Sequence, residues 1–370
     1  MNKNVAIDIS SLQLTGTGTA TYIIELMKSI EALECGVTFS KLDNQPMFSR
    51  SSRVLRKIDT IYRELIWQQM VLPSQAKKSK ADILHSPAMI SPVRCTIPTV
   101  LTVFDTCIVS SPQSFPLWQR TITNKFLPTC IERADKIIAI SHFTKREILR
   151  LYPDTPADKI IVTWLGVNPR FRILDESLKA FVRNKYKLDK PFILSVSTSN
   201  PRKNLKTLIQ AFALIKDRIN HDLVLTGEYE WKSVELYSLV TDLGLRERVK
   251  FTGYLPLEEL PVVYNLADLF IYPSLYEGFG LPPIEAMACG TPVITSNVTS
   301  LPEVVGDAAL TLDPLDMDLL AQSMETLIKN DTDRVTLRNK GIERAKLFTW
   351  EKCARETLAV YDSLMPTGRL

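Results

Sequence analysis

The sequence predicts an α/β protein built from two doubly wound parallel sheets in series, and three observations lead there. Apolar runs of strand length alternate with longer helical patterns almost throughout the chain, which is the rhythm of βαβ units. The rhythm lapses over the charged stretch 169–191 and then restarts. The length of 370 residues suits roughly two domains of about 150–200 residues, each able to bury its own core.

Taken in order, VAIDIS reads as the first strand, followed by a glycine-containing turn and the helix TATYIIELMKSIEAL. The strands ADILHSP and TVLTVFD come next, then a helix from Gln119 to Arg133 and the strand KIIAIS. Ser141 opens another helix, as a hydroxyl does when it caps free amides, and KIIVTWLG is a further strand. The second half runs PFILSVS, the helix KNLKTLIQAFALIK, DLVLTGE, the helix KSVELYSLVTDLG, RVKFTGY and a helix near Glu258–Leu266. It continues with DLFIYPS, the helix PPIEAMACG and the strand PVITSN. After Leu310–Asp313 come helices over Leu319–Ile328 and Arg334–Leu347, and WEKCARETLAVYDSLM forms an amphipathic terminal helix. The domains fall at 1–168 and 169–349.

Composition narrows the function. The net charge is +4, from 45 Lys and Arg against 41 Asp and Glu, which argues against a nucleic-acid binder. The charge is uneven: residues 1–170 carry 21 basic and 14 acidic side chains (+7), leaving 24 and 27 (−3) for 171–370. Six scattered cysteines with no CxxC pair read as reduced thiols of a cytoplasmic protein. The N-terminus lacks the apolar core of a signal peptide, and no run is long and apolar enough to span a membrane.

The sharpest motif is YEGFGLPPIEAMACGTPV, from Tyr276. A strand, a two-glycine loop and a helix opening on Pro-Pro aim free backbone N–H groups one way, at the positive end of a helix dipole, which suits an anion. Gly278 and Gly280 flank Phe279 and let a phosphate approach the main chain. Glu277 and Glu285 would repel that phosphate, so they suit hydroxyls, Glu285 on a ribose and Glu277 on a sugar. The plainer alternative is a dipole-complementing glutamate beside an ordinary turn.

Arg202 and Lys203 stand at the start of the helix in PRKNLKTLIQAF, where cations oppose the dipole by roughly 0.3–1 kcal/mol each and so call for an anion. A solvated charge pair is the alternative. Gly16 and Gly18 follow the first strand, but Thr21 stands where a dinucleotide fingerprint needs a third small residue, so NAD binding is discounted.

Together these residues resemble glycosyltransferase family 4, retaining enzymes of the GT-B fold. The resemblance rests on the Gly16–Gly18 turn, DILHSP, KIIAISHFTKREI, WLGVNPRF, PRKN, the E-x7-E pattern Glu277–Glu285, ACGTPVITS and SLPEVVGDAAL. It implies two Rossmann-like domains facing a central cleft, the first taking the acceptor and the second a nucleotide-sugar donor. The terminal helix, about 350–370, would cross back onto the first domain. The implied donor ligands are Gly16, Gly18, Arg202, Lys203, Glu277, Gly278, Phe279, Gly280, Leu281 and Glu285. Arg202 and Lys203 clamp the diphosphate, Glu277 and the amides of Phe279, Gly280 and Leu281 meet the sugar and phosphate, and Glu285 holds the ribose. Glu277, Lys203, Arg202 and Asp105 form the implied catalytic set, with Asp105 orienting acceptor or sugar or else capping a turn.

Two positions depart from the family. Phe104 precedes Asp105 where many members have His, and Ser197 with Thr198 replaces a glycine before PRKN. The resemblance implies front-face displacement in which the departing diphosphate deprotonates the acceptor. No metal or other cofactor is expected: Asp316-Met-Asp318 reads as a helix start, and three histidines without clustered partners make no zinc site.

Residues 50–80 hold Arg50, Arg53, Arg56, Lys57, Arg63, Lys77, Lys78 and Lys80 among Leu55, Ile58, Ile61, Tyr62, Leu65, Ile66 and Trp67. That spacing suits an amphipathic helix able to dock on anionic lipid at the inner face of the cytoplasmic membrane, or a basic surface helix on a core. The expected acceptor is a lipid-linked saccharide of a surface polysaccharide such as O-antigen in lipopolysaccharide, and the donor GDP-mannose, with a UDP-sugar the alternative. A same-fold sugar-nucleotide epimerase and a non-catalytic nucleotide-sugar-binding protein are the rivals.

Overall fold

The computed structural model describes residues 3–13, 18–44, 62–227 and 233–365. Gly16 and the basic residues Arg50, Arg53, Arg56 and Lys57 lie outside them. The chain divides into two compact units, 1–166 with 349–370, and 167–348.

The first unit carries β1 (Lys3–Asp8), β2 (Val37–Leu42), β3 (Ile83–Ser86), β4 (Thr99–Val103), β5 (Lys136–Ala139) and β6 (Ile160–Val162). All are parallel, in the order β2-β1-β3-β4-β5-β6. The inner strands β3 and β4 are buried throughout, as a sheet covered by helices on both faces requires. The sequence reading omits β2, an edge strand whose exposed and half-buried residues give it little apolar signal. In the 50–80 region, the described part is a π-helical Arg63–Val71 running into an α-helix, Leu72–Lys78.

The last helix, Trp350–Asp362, belongs to the first unit. Its buried face of Trp350, Cys353, Ala354, Thr357, Val360 and Tyr361 follows helical spacing. Thr349 caps it by accepting from Lys352 N at 3.1 Å. His85 Nδ1 meets the Tyr361 hydroxyl at 2.7 Å and Nε2 meets Thr102 Oγ1 at 2.8 Å, so this histidine pins the helix to the sheet. Burial lowers its pKa to about 3, which keeps it neutral. Gly166 passes so close to the start of this helix that a Cβ would lie 2.2 Å from Trp350 N.

The second unit carries β7 (Phe192–Val196), β8 (Asp222–Thr226), β9 (Val249–Gly253), β10 (Leu269–Tyr272), β11 (Val293–Ser296) and β12 (Leu310–Leu312). They are parallel, in the order β12-β11-β10-β7-β8-β9. Strand order reverses between β7 and β10, and doubly wound sheets bind ligands beyond the carboxyl ends at such a point. The core on one side joins the helix Leu205–Ile215, through Leu208, Ile209 and Phe212, to Ile193, Leu223 and Leu225. Asp316 caps the helix Met317–Lys329 by accepting from Leu319 N at 2.9 Å, the helix-start role read for the Asp-x-Asp pair.

Candidate functional site

The loops after β7 and β10 meet beside the reversal point of the second sheet. Arg202 and Lys203 occupy a short 3-10 turn, Pro201–Lys203, just ahead of the helix Leu205–Ile215 and not in its first turn. Asn200 Oδ1 accepts from Arg202 N at 3.0 Å. Asn204 takes the left-handed conformation that its short amide tolerates, and donates to the Pro314 carbonyl at 2.7 Å. The loop after β10 is tied to this turn, since Leu275 N donates to the Arg202 carbonyl at 2.8 Å.

That lacing brings three predicted residues together. Lys203 Nζ lies 2.6 Å from Glu277 Oε1, and Arg202 Nη1 lies 3.2 Å from Oε2. The side chains are only 13%, 20% and 10% exposed for Lys203, Arg202 and Glu277. Burial alone would raise the Glu277 pKa, but the charges of Lys203 and Arg202 and the bonds from Lys203 and Ser274 outweigh it and lower it to about 2. The carboxylate is therefore ionised, and in this structure it is the anion that the two cations meet.

Glu277 Oε1 also accepts from Ser274 Oγ at 2.6 Å and from the Tyr272 hydroxyl at 3.0 Å. The glycine loop is held from the segment after β11: Glu277 N donates to Thr299 Oγ1 at 3.2 Å, and Ser300 Oγ donates to the carbonyls of Glu277 (2.9 Å) and Phe279 (2.8 Å). Thr299 has a φ of 60°, uncommon for a β-branched residue. Gly280 has a φ of 108°, and a Cβ there would sit 2.6 Å from Leu301 Cδ2. It stands at the N-cap of the helix Leu281–Ala288 with no side chain to satisfy the first amides, which leaves that end suited to an anion. Tyr276 to Gly280 are buried, and Leu281 is half-buried.

Glu285 lies on the same helix, half-buried, and accepts from the Tyr264 hydroxyl at 3.1 Å. Burial raises its pKa to about 7. The bond from Tyr264 opposes that shift only in part, whereas Glu277 has two cations beside it, so the two glutamates sit in opposite electrostatic settings.

Other predicted residues lie in the first unit. Asp105 Oδ1 accepts from Cys107 N at 2.8 Å, the turn-capping geometry. Phe104 packs edge-on against Tyr22, ring centroids 5.2 Å apart. Gly18 opens the helix Gly18–Ala32 with open space where a Cβ would stand. Sequence reasoning missed Asp8, buried at the end of β1, which accepts from Ser10 N (3.0 Å), Trp67 Nε1 (3.2 Å) and Gln68 Nε2. It also missed Tyr272, Ser274, Thr299 and Ser300, whose one sequence signal is a hydroxyl at or shortly after a strand end. Among the described residues no group of three or more His, Cys, Asp or Glu converges as a metal site.

Two doubly wound parallel sheets, with a basic pair and an anion-suited helix end at the reversal point of the second, define the class of α/β protein to which this chain belongs. The chain belongs to glycosyltransferase family 4: residues 16–171 match Glycosyltransferase Family 4 and residues 178–347 match Glycosyl transferases group 1. It is 38% identical over 289 residues to O-antigen chain mannosyltransferase B of Escherichia coli, covering 77% of this chain and 75% of that protein. It is 33% identical over 244 residues to the serotype-specific mannosyltransferase WbdA of Escherichia coli, covering 64% of this chain and 30% of that longer protein. Among solved structures, sucrose-phosphate synthase from Thermosynechococcus elongatus superposes with a TM-score of 0.77 at 22% identity, covering 98% of this chain and 99% of that one.

Proposed function

We propose that this glycosyltransferase is a retaining mannosyltransferase that takes mannose from GDP-mannose and adds it to a lipid-linked O-antigen or related surface-polysaccharide acceptor. The observation that carries the reading is the convergence of Arg202, Lys203 and Glu277 beside the β7–β10 reversal. The names of the mannosyltransferase relatives support the choice of sugar and acceptor.

Arg202 and Lys203 neutralise the diphosphate, and stabilise it more as the bond from the sugar C1 to the phosphate oxygen breaks and negative charge collects there. The amides of Phe279, Gly280 and Leu281 bind phosphate oxygens, Glu277 takes sugar hydroxyls and Glu285 the ribose. The acceptor oxygen bonds to C1 on the face the diphosphate leaves, and its proton passes to the departing diphosphate oxygen, so no protein base is required. No metal takes part in the proposed step.

Membrane contact is a second component of the proposal, resting on the basic and apolar residues of 50–80. No helix among the described residues is long and apolar enough to cross a membrane. Sedimentation with anionic vesicles should fall on charge reversal at Arg53, Arg56 and Lys57, and equal sedimentation of the variant defeats this component.

A donor screen tests the main reading. The protein is incubated with GDP-mannose or with UDP-glucose, UDP-galactose and UDP-N-acetylglucosamine plus a mannose-terminated lipid-linked acceptor, and products are read by mass spectrometry. A hexose increment from GDP-mannose alone is expected. Transfer only from a UDP-sugar overturns the donor assignment, an isomerised sugar nucleotide indicates an epimerase, and binding without turnover indicates a non-catalytic protein.

A further inference from the structure

The ion pair between Lys203 and Glu277 poses a problem that the proposed function does not itself solve. A lysine committed to a buried carboxylate at 2.6 Å has to turn toward a diphosphate, and doing so withdraws a charged donor from a carboxylate that is only 10% exposed. Tyr272, the last residue of β10, sits between the two. Lys203 Nζ donates to its hydroxyl oxygen at 2.6 Å and lies 5.1 Å from its ring centroid, while the hydroxyl donates to Glu277 Oε1 at 3.0 Å. Ser274 Oγ adds a second neutral donor to the same oxygen at 2.6 Å. Tyr272 is 2% exposed and its ring stacks on Phe270 with centroids 6.1 Å apart, so the hydroxyl is held in place by the sheet.

We propose that Tyr272, assisted by Ser274, is a positioning residue that lets Lys203 exchange Glu277 for the incoming diphosphate. When Lys203 turns, the two hydroxyls keep Glu277 Oε1 hydrogen-bonded and aimed, and the tyrosine oxygen and ring remain beside the ammonium group as it moves. No covalent bond and no proton changes hands. Burial and the neighbouring Glu277 charge hold the phenol well above its ordinary pKa, so it remains a neutral donor throughout. The inference rests on the reading of this site as a diphosphate clamp.

The test is a double-mutant cycle on GDP affinity, measured by isothermal titration on the full chain, with Tyr272→Phe, Lys203→Ala and the pair. Tyr272→Phe keeps the ring and its stacking and deletes only the hydroxyl. It should weaken GDP binding about tenfold in the wild-type background, the scale of a lost hydrogen bond to a charged group. In the Lys203→Ala background, where no exchange occurs, it should change affinity less than twofold. A merely structural tyrosine would instead lower the melting temperature and weaken GDP equally in both backgrounds, which overturns the proposal, as does unchanged affinity in folded Tyr272→Phe. If Tyr272→Phe does not fold, Ser274→Ala replaces it in the cycle under the same criteria. A wild-type chain that binds neither GDP nor UDP fails the clamp reading itself, and the exchange falls with it. Binding by the wild type without coupling between the two sites fails the exchange alone.

Discussion

Both sheets reverse strand order beside a buried carboxylate, and the two carboxylates are treated in opposite ways. Glu277, after β10, is gripped by Lys203 and Arg202, which bring its pKa down to about 2 against its burial. Asp8, at the end of β1, is met by a backbone amide, an indole and a carboxamide, and burial pushes its pKa up. A strand-order reversal thus yields, in one sheet, a charged end with cations beside an uncapped helix start and, in the other, an end organised by neutral donors. The first arrangement suits a ligand that brings its own negative charge; the second braces a chain segment, because Trp67 and Gln68 belong to the π-helical stretch Arg63–Val71 and Asp8 fastens it to the sheet.

The largest expected effect strikes the charged end. Lys203→Ala should cut turnover about 100-fold or more, by analogy with the loss of an electrostatic donor to developing charge, with an unchanged circular-dichroism spectrum. Wild-type turnover in the folded variant would break the contrast between the two ends.

A second prediction separates the two glutamates. With its pKa raised to about 7, Glu285 is largely protonated below neutrality, yet accepting a ribose hydroxyl on each of its two oxygens requires the carboxylate. Binding then expels a proton, so GDP affinity should rise as pH rises toward 7, by up to about tenfold per pH unit, and level off above it. Glu285→Gln should remove this component, and the difference between the two proteins separates it from the ionisation of the ligand. Identical pH profiles would detach Glu285 from the ligand. Glu277, at about 2, adds no slope in this range; its contribution to stability is complete above its ordinary pKa of 4.5 and is lost as pH falls toward 2.

The smallest effect on binding belongs to the first unit. Asp8→Ala leaves the Trp67 and Gln68 donors and the Ser10 amide without their acceptor, and should lower stability to urea by about 2–4 kcal/mol while GDP affinity stays within twofold. A loss of GDP affinity as large as that of Lys203→Ala would erase the distinction between the two ends.

Much of this was legible in the sequence because it is local. The βα rhythm, the glycine loop, the two glutamates eight residues apart and the cation pair are all written in contiguous stretches. What was hidden depends on which strands become neighbours. Nothing in DLFIYPS says that Tyr272 will face Lys203, 69 residues earlier, until β10 pairs with β7. Asp8 and Trp67 are 59 residues apart and meet only through the tertiary fold. The edge strand β2 escaped because an exposed edge needs few apolar residues. For Arg202 and Lys203 the sequence called for an anion, and only the fold reveals that Glu277 supplies one.

The most direct test of the central claim is isothermal titration of GDP into the wild-type chain and into an Arg202→Ala/Lys203→Ala double variant at one salt concentration, with folding checked by circular dichroism. If the charged end of the second sheet is a diphosphate clamp, the wild type binds one GDP saturably and the folded double variant binds it about 100-fold more weakly or not at all. Equal affinity in the two proteins would contradict the account.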